Sequence, residues 1–163
     1  MILIGVGSNL PSPKFGTPLQ TCEAALAELQ KRGGVVSRRS RWYESAPVPV
    51  SDQPWFVNAV AAVETDLSPD VLLSLLHEIE SGFGRVRRIR DEARILDLDL
   101  LIYNDLVTQR PPILPHPRMH QRSFVLLPMA ELAPDWRHPA SGEPIAKLIA
   151  ALAPDQIARP MAR

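Results

Sequence analysis

Residues 94–102 alternate apolar and acidic side chains in the pattern of a β-strand. Because successive side chains of a strand point to opposite faces, Asp97 and Asp99 share one face. The other face carries three leucines and is expected to pack on a core; they are Leu96, Leu98 and Leu100. The sequence therefore predicts a buried strand that holds two carboxylates close together.

Two neighbouring carboxylates are costly unless a cation or hydrogen-bond donors compensate their charges. Mg²⁺ suits such a pair, since it binds one or two carboxylates and completes its coordination with water and phosphate oxygens. Guanidinium groups match phosphate oxygens, and five arginines lie just upstream or at the start of the strand: Arg85, Arg87, Arg88, Arg90 and Arg94. The pattern indicates a site for a metal and phosphates. The short Asp-x-Asp motif alone leaves open a solvated strand face with ordinary surface ion pairs.

Composition narrows the class of protein. The 163 residues, 45% of them hydrophobic, predict one domain over residues 1–163 with a real core. Lysine plus arginine equals aspartate plus glutamate at 18 each, so no overall field attracts nucleic acid or a membrane. The single Cys22 excludes an internal disulfide and a cysteine metal cluster. With no apolar run of membrane-spanning length and no basic leader, we expect a soluble, cytoplasmic protein.

Hydrophobic periodicity and capping residues predict the order strand, helix, strand, strand, helix, strand. The predicted strands cover residues 2–6, 35–45, 55–64 and 94–102, with a short returning strand through Val107. The predicted helices cover residues 18 to about 33, 68–82, 121–132 and 144–152. This order is typical of the α+β class, as a ferredoxin-like split βαβ antiparallel sheet with helices packed on it in αβα layers.

Five motifs occur in the order and spacing of one known family. They are Gly7-Ser8-Asn9-Leu10, Asp52-Gln53-Pro54-Trp55-Phe56-Val57-Asn58-Ala59, Glu80-Ser81-Gly82-Phe83-Gly84-Arg85, Arg94-Ile95-Leu96-Asp97-Leu98-Asp99 and Pro115-His116-Pro117-Arg118-Met119. Through them the chain resembles the 6-hydroxymethyl-7,8-dihydropterin pyrophosphokinases of folate biosynthesis. The resemblance implies a ferredoxin-like enzyme with two Mg²⁺ ions that transfers pyrophosphate from ATP to the pterin hydroxymethyl group and releases AMP.

The resemblance also implies roles for individual residues. Asp97 and Asp99 match the metal ligands, and Arg85 and Arg94 match the catalytic arginines. The positions that match the ATP site are Glu80, Arg87, Leu100, His116 and Arg122. The positions that match the pterin site are Ser45, Pro47, Val48, Phe56, Asn58 and Phe124. The implied partners are ATP and the pterin, with no nucleic acid or membrane, and a monomer is expected.

Two features qualify the resemblance. Asp91-Glu92-Ala93 stands where the family usually shows tryptophan-glycine-proline, so this chain lacks an aromatic residue that closes over the pterin in relatives, and Pro117 stands where an aromatic residue is frequent. From the residues alone, Phe56 and Phe124 are equally well explained as core residues, and His116 as a turn residue.

Two other classes of function stay open: a ferredoxin-like binding module for a small molecule or RNA, and a metal-dependent nucleotidyl transferase. AMP formation from ATP would separate them from a pyrophosphokinase.

Overall fold

The computed structural model of the protein describes residues 1–84 and 94–162. The predictions made for Arg85, Arg87 and residues 91–93 lie outside the described residues. The strands are β1 (Ile2–Ser8), β2 (Val35–Arg39), β3 (Tyr43–Ser45), β4 (Phe56–Glu64), β5 (Asp97–Tyr103) and β6 (Ala158–Pro160). The helices are α1 (Pro18–Lys31), α2 (Pro69–Gly82), α3 (Ser123–Leu132) and α4 (Ile145–Ala150), with a 3₁₀ turn at Met119–Gln121 before α3.

The strands form one open, antiparallel sheet in the order β5-β1-β4-β3-β6, and β2 also pairs with β4. This order confirms the predicted α+β class with its split βαβ arrangement. β4, which has apolar side chains on both faces, lies in the centre of the sheet. The predicted strand over residues 35–45 is divided into β2 and β3, because Ser40 between them binds the backbone of β4 through its own N–H and its side chain.

Helices cover both faces of the sheet. On one face α1 and α2 pack over the leucines of β5, and the predicted inward direction of Leu96, Leu98 and Leu100 is confirmed by their burial. On the other face α3 and α4 pack against residues such as Leu3, Val60 and Leu101. No helix among residues 1–84 and 94–162 has the length and apolar character needed to span a bilayer.

Local signals explain where the first two helices begin. The Thr17 side chain accepts from the Gln20 N–H while the Gln20 side chain accepts from the Thr17 N–H, a capping box that starts α1 at Pro18. Ser68 precedes Pro69 in the same way at α2, although its hydroxyl donates to the Asp70 carboxylate and accepts no hydrogen bond from the N–H groups of the first turn. Both predicted starts are confirmed.

At the edges of the fold one prediction is wrong, and the structure holds one strand that the sequence did not predict. The described residues 104–107 hold no strand: Asn104 takes a left-handed turn at φ 52°, and its side chain accepts from the amino group of Met1. In contrast, β6 was not predicted, because three residues that include Arg159 and Pro160 show no alternation. β6 nevertheless pairs with β3 and brings the C-terminal segment back onto the sheet.

Candidate active site

A cavity of about 720 Å³ lies between the sheet, residues 45–49 and the beginning of α3. Its volume is in the range of small-molecule sites. Eleven of the predicted site residues line it: Ser45, Pro47, Val48, Phe56, Asn58, Arg94, Asp97, Asp99, His116, Arg122 and Phe124. Residues far apart in the chain are therefore brought together in one space, which we call the cavity.

Asp97 and Asp99, the acid pair, lie side by side on the cavity face of β5. In the sheet register Asp97 is opposite Gly7 of β1, and Asp99 is opposite Gly5. Neither glycine carries a side chain, so these two positions of β1 place no side chain over the carboxylates, and both glycines line the cavity. The acid pair is therefore accessible from the cavity although it belongs to a packed strand.

Two arginines face the acid pair. Arg94 Nη1 is 3.3 Å from Asp97 Oδ1, and Arg122 Nη1 is 3.8 Å from Asp99 Oδ2. All four side chains are 21 to 27% exposed. Ion pairs of this exposure stabilise a fold weakly. The arrangement is therefore better suited to receiving a charged ligand than to holding the fold together.

The chemistry of the acid pair fits Mg²⁺. Carboxylate oxygens are hard ligands, and this metal commonly binds one or two of them and takes its remaining ligands from water and substrate phosphates. Within residues 1–84 and 94–162 there is no cluster of three or more histidine, cysteine, aspartate or glutamate side chains that would form an all-protein metal cage. Two carboxylates beside two arginines are consistent with a metal that arrives with phosphates.

His116 is neutral in this environment. Its burial and the nearby Arg122 guanidinium lower the pKa of His116 to about 4, and the attraction of Asp97 does not offset them. The Nδ1 atom accepts a hydrogen bond of 3.2 Å from the Arg118 N–H. The imidazole proton is therefore on Nε2, where it makes His116 a neutral hydrogen-bond donor on the cavity wall.

Asn58 is a buried amide with a defined orientation. The Ser45 hydroxyl donates to Asn58 Oδ1 at 2.5 Å, so the amide nitrogen is directed elsewhere. A Cβ atom at Gly7 would be 2.8 Å from Asn58 Nδ2, so the missing side chain of Gly7 makes room for the amide group. Since an amide nitrogen carries two hydrogens, Asn58 can present a donor to a ligand in the cavity.

Two phenylalanines and a proline-rich segment form the apolar part of the cavity. Phe56 begins β4, Phe124 lies in the first turn of α3, and the Arg122 guanidinium is 5.4 Å from the Phe124 ring centroid. Aromatic faces favour flat heterocycles. The cavity thus has an apolar end with one oriented amide and a charged end with carboxylates, arginines and a neutral imidazole.

The structure places two predicted ATP-site residues away from the cavity. Glu80 is 2% exposed and accepts from the Leu98 N–H, while Leu100 is 4% exposed and packs in the core beneath β5. Both lie behind the acid pair rather than on the cavity wall. Their predicted contact with ATP stays a prediction, and Arg85 and Arg87 lie outside the described residues.

Several cavity residues were not predicted. Gln156 comes from the C-terminal segment, and its Oε1 accepts from the Ser123 N–H at the beginning of α3. No motif or periodicity marks Gln156, so only the fold reveals it. Gly5 and Gly7 carried a usable signal, because glycines two apart in a strand lie on one face and suggest a close approach there. The remaining unpredicted residues include Pro49, Arg118 and Gln121.

Sequence comparisons with known proteins point to one family. Residues 3–134 match the sequence model of the family 7,8-dihydro-6-hydroxymethylpterin-pyrophosphokinase (HPPK). The chain is 40% identical over 149 residues to a 2-amino-4-hydroxy-6-hydroxymethyldihydropteridine pyrophosphokinase of Synechocystis, covering 90% of this chain and 73% of the relative. Proteins of the same name from Haemophilus influenzae and Pseudomonas aeruginosa are 42% and 40% identical, over 81% and 92% of this chain and 81% and 90% of theirs. The chain therefore belongs to the 7,8-dihydro-6-hydroxymethylpterin-pyrophosphokinase family.

Proposed function

We propose that this protein transfers pyrophosphate from ATP to the hydroxymethyl group of 6-hydroxymethyl-7,8-dihydropterin and releases AMP, as a step of folate biosynthesis. The observation that carries the proposal is the division of one cavity into a charged end and an apolar end. The acid pair with Arg94 and Arg122 supports a triphosphate site at the charged end. At the apolar end, Phe56, Phe124 and the oriented Asn58 support a site for a flat heterocycle.

At the charged end, the chain provides cations and donors for phosphate oxygens. Arg94 and Arg122 would exchange their contacts with the acid pair for phosphate oxygens, which guanidinium groups bind through paired N–H donors. His116 would donate from Nε2 without adding charge. Such groups stabilise the transition state, because phosphoryl transfer depends mainly on positioning and electrostatics.

We propose that Asp97 and Asp99 hold the metal, as Mg²⁺, and that two ions act. When bound, the metal neutralises the charge of the phosphates and fixes their positions. The acid pair would keep its place because β5 is paired with β1 and supported from behind by Glu80. The two arginines would then be free to contact the nucleotide.

At the apolar end, the chain would orient the pterin. Asn58 would donate to the polar edge of the heterocycle, while Phe56 and Phe124 would contact its faces. The hydroxymethyl oxygen would thereby face the charged end. It forms a bond to the β-phosphorus as the bond from that phosphorus to the bridging oxygen of AMP breaks, and the hydroxyl proton is released. Holding both substrates in line supplies much of the rate enhancement.

We further infer that residues 1–163 act as one pyrophosphokinase domain. This is supported by the pairing of β6 with β3 and by Gln156, which brings the C-terminal segment to the cavity.

The two other function classes predict different properties. An RNA-binding sheet of this type exposes aromatic residues on a free face, whereas helices cover both faces here. A monomeric state and a cytoplasmic location remain predictions.

The test is to incubate the purified protein with ATP, Mg²⁺ and 6-hydroxymethyl-7,8-dihydropterin and to identify the nucleotide product. We expect AMP and a pyrophosphorylated pterin in equal amounts, and no AMP when either the pterin or the metal is omitted. ADP would show that a single phosphoryl group moves, and free pyrophosphate would indicate nucleotidyl transfer. Either result would overturn the proposal.

A further inference from the structure

Asn9 connects three separate parts of the chain through its side chain. It follows β1 directly and is 1% exposed. Its Nδ2 donates to Gln53 Oε1 and to the Pro54 carbonyl, both at 3.1 Å, and its Oδ1 accepts from the Arg94 N–H at 2.7 Å. The side chain therefore joins the segment before β4 to the residue that carries the Arg94 guanidinium.

The three partners require an amide at this position. The Arg94 N–H can only donate, and the Pro54 carbonyl can only accept, so the residue between them needs an acceptor and a donor on one short side chain. An aspartate carboxylate offers no donor, and an apolar residue offers neither. The chemistry of the partners therefore determines both the residue type and the orientation of its amide.

The backbone around Asn9 strengthens the connection to Arg94. The Asn9 N–H and the Leu10 N–H both donate to the Arg94 carbonyl, at 3.0 and 3.2 Å. Both polar groups of the Arg94 backbone are thus held by residues 9 and 10. The position of this backbone in turn determines where the Arg94 guanidinium lies, 3.3 Å from Asp97 on the cavity wall.

The other contacts of Asn9 lead to the apolar end of the cavity. Gln53 and Pro54 come just before Phe56 and Asn58, which line the cavity from β4. A displacement of residues 53 and 54 would be passed along the strand to both. We propose that Asn9 is a positioning residue that holds Arg94 and the segment before β4 in fixed register, and so aligns the phosphate and pterin ends of the site.

This inference rests on the proposed function, and its test uses the full chain in the AMP assay. Asn9→Ala removes all three side-chain bonds. We expect kcat to fall by about 10²-fold, the scale of loss from misplacing a reacting group. We also expect KM for the pterin to rise by about threefold to tenfold, the equivalent of one neutral hydrogen bond, and KM for ATP to change less.

Two further variants separate positioning from general stability. Ser40→Ala is the matched control, because Ser40 is 2% exposed, accepts from the Val60 N–H, donates to the Arg41 carbonyl and lies away from the cavity. It should lower the melting temperature and leave both KM values unchanged. Gln53→Ala removes one partner of Asn9 and should raise KM for the pterin while leaving kcat within about twofold of wild type.

The outcomes are distinct. If wild type forms no AMP, the proposed function fails. If wild type is active and folded Asn9→Ala keeps both its kcat and its KM for the pterin, the positioning role is overturned. It is also overturned if folded Asn9→Ala has a lower kcat but unchanged KM values for both substrates, because a merely destabilised protein would behave in this way. If Asn9→Ala does not fold, Gln53→Ala decides: a raised pterin KM supports the inference, and an unchanged pterin KM overturns it.

Discussion

The Oε2 atom of Glu80 accepts a hydrogen bond of 2.8 Å from the N–H of Leu98, the residue between Asp97 and Asp99. Glu80 lies at the end of α2 on the opposite side of β5 from the cavity, and it is 2% exposed. β5 is an edge strand of the described sheet, so its outward amides need partners other than a strand. A buried carboxylate thus holds the strand at the point where the acid pair lies.

Glu80→Ala should weaken both the fold and the site. It leaves the Leu98 N–H without its acceptor, at a cost of about 1–3 kcal/mol in the free energy of unfolding. The freer strand should also raise KM for ATP. Urea unfolding and AMP kinetics measure these two effects. Glu80→Gln keeps an oxygen acceptor, so its free energy of unfolding should fall less and its KM for ATP should rise less. A Glu80→Ala protein as stable as wild type would contradict this account.

Asp97→Ala should remove activity and leave the fold. The Asp97 side chain is 26% exposed, and its pair with Arg94 contributes at most about 1 kcal/mol to stability. AMP formation should fall by on the order of 10²–10³-fold or more, as expected when one electrostatic group of a transition state is removed. Asp105→Ala is the control, because Asp105 is an exposed residue just beyond the same strand. Equal rates for the two variants would show that Asp97 has no catalytic role.

Gly7→Ala should impair pterin binding selectively. The new Cβ would be 2.8 Å from Asn58 Nδ2, so the amide would have to leave its present position. We expect a higher KM for the pterin and a nearly unchanged KM for ATP in steady-state kinetics. Gly34→Ala is a matched clash, since its Cβ would be 2.7 Å from Leu29 far from the cavity. It should reduce stability without altering KM, and a similar pterin KM for both variants would refute the prediction.

Glu131 should make stability depend on pH in the acid range. Burial opposes its ionisation, but hydrogen bonds from Tyr43, the Arg41 N–H and the Arg41 guanidinium outweigh burial and lower the pKa of Glu131. A lowered pKa in the folded state stabilises the protein above the unfolded-state pKa of about 4.3, and this stability is lost as the pH falls through the lower folded value.

The measurement is the free energy of unfolding between pH 7 and pH 3. Glu131→Gln should be less stable than wild type at neutral pH, and the difference should shrink below about pH 4.3. Tyr43→Phe, which removes one donor, should show a smaller effect of the same sign. A stability difference that stays constant over this range would disprove the assignment.

Local sequence patterns were sufficient to predict those strands and helices whose alternation or capping residues lie within or next to the element itself. The alternation in β5 predicted the directions of Asp97 and Leu98, and the residues around Thr17 predicted the start of α1. In each of these cases neighbours in the chain provide the physical reason. The strand predicted through Val107 is absent from the described residues 104–107 because a short apolar segment does not specify a partner strand. β6 was not predicted because its strand conformation depends on its pairing with β3.

The sequence by itself determined the order of the main strands and helices, the shared face of the acid pair and, through five ordered motifs, the family. These features depend on periodicity and on residue type, which are properties of the chain alone. Only the tertiary structure decided that Asn9 joins Arg94 to Pro54, that Glu80 supports Leu98 from behind, and that Gln156 reaches the cavity. Each of these depends on a hydrogen bond between residues separated in the chain, and such a bond exists only after folding has brought its two ends together.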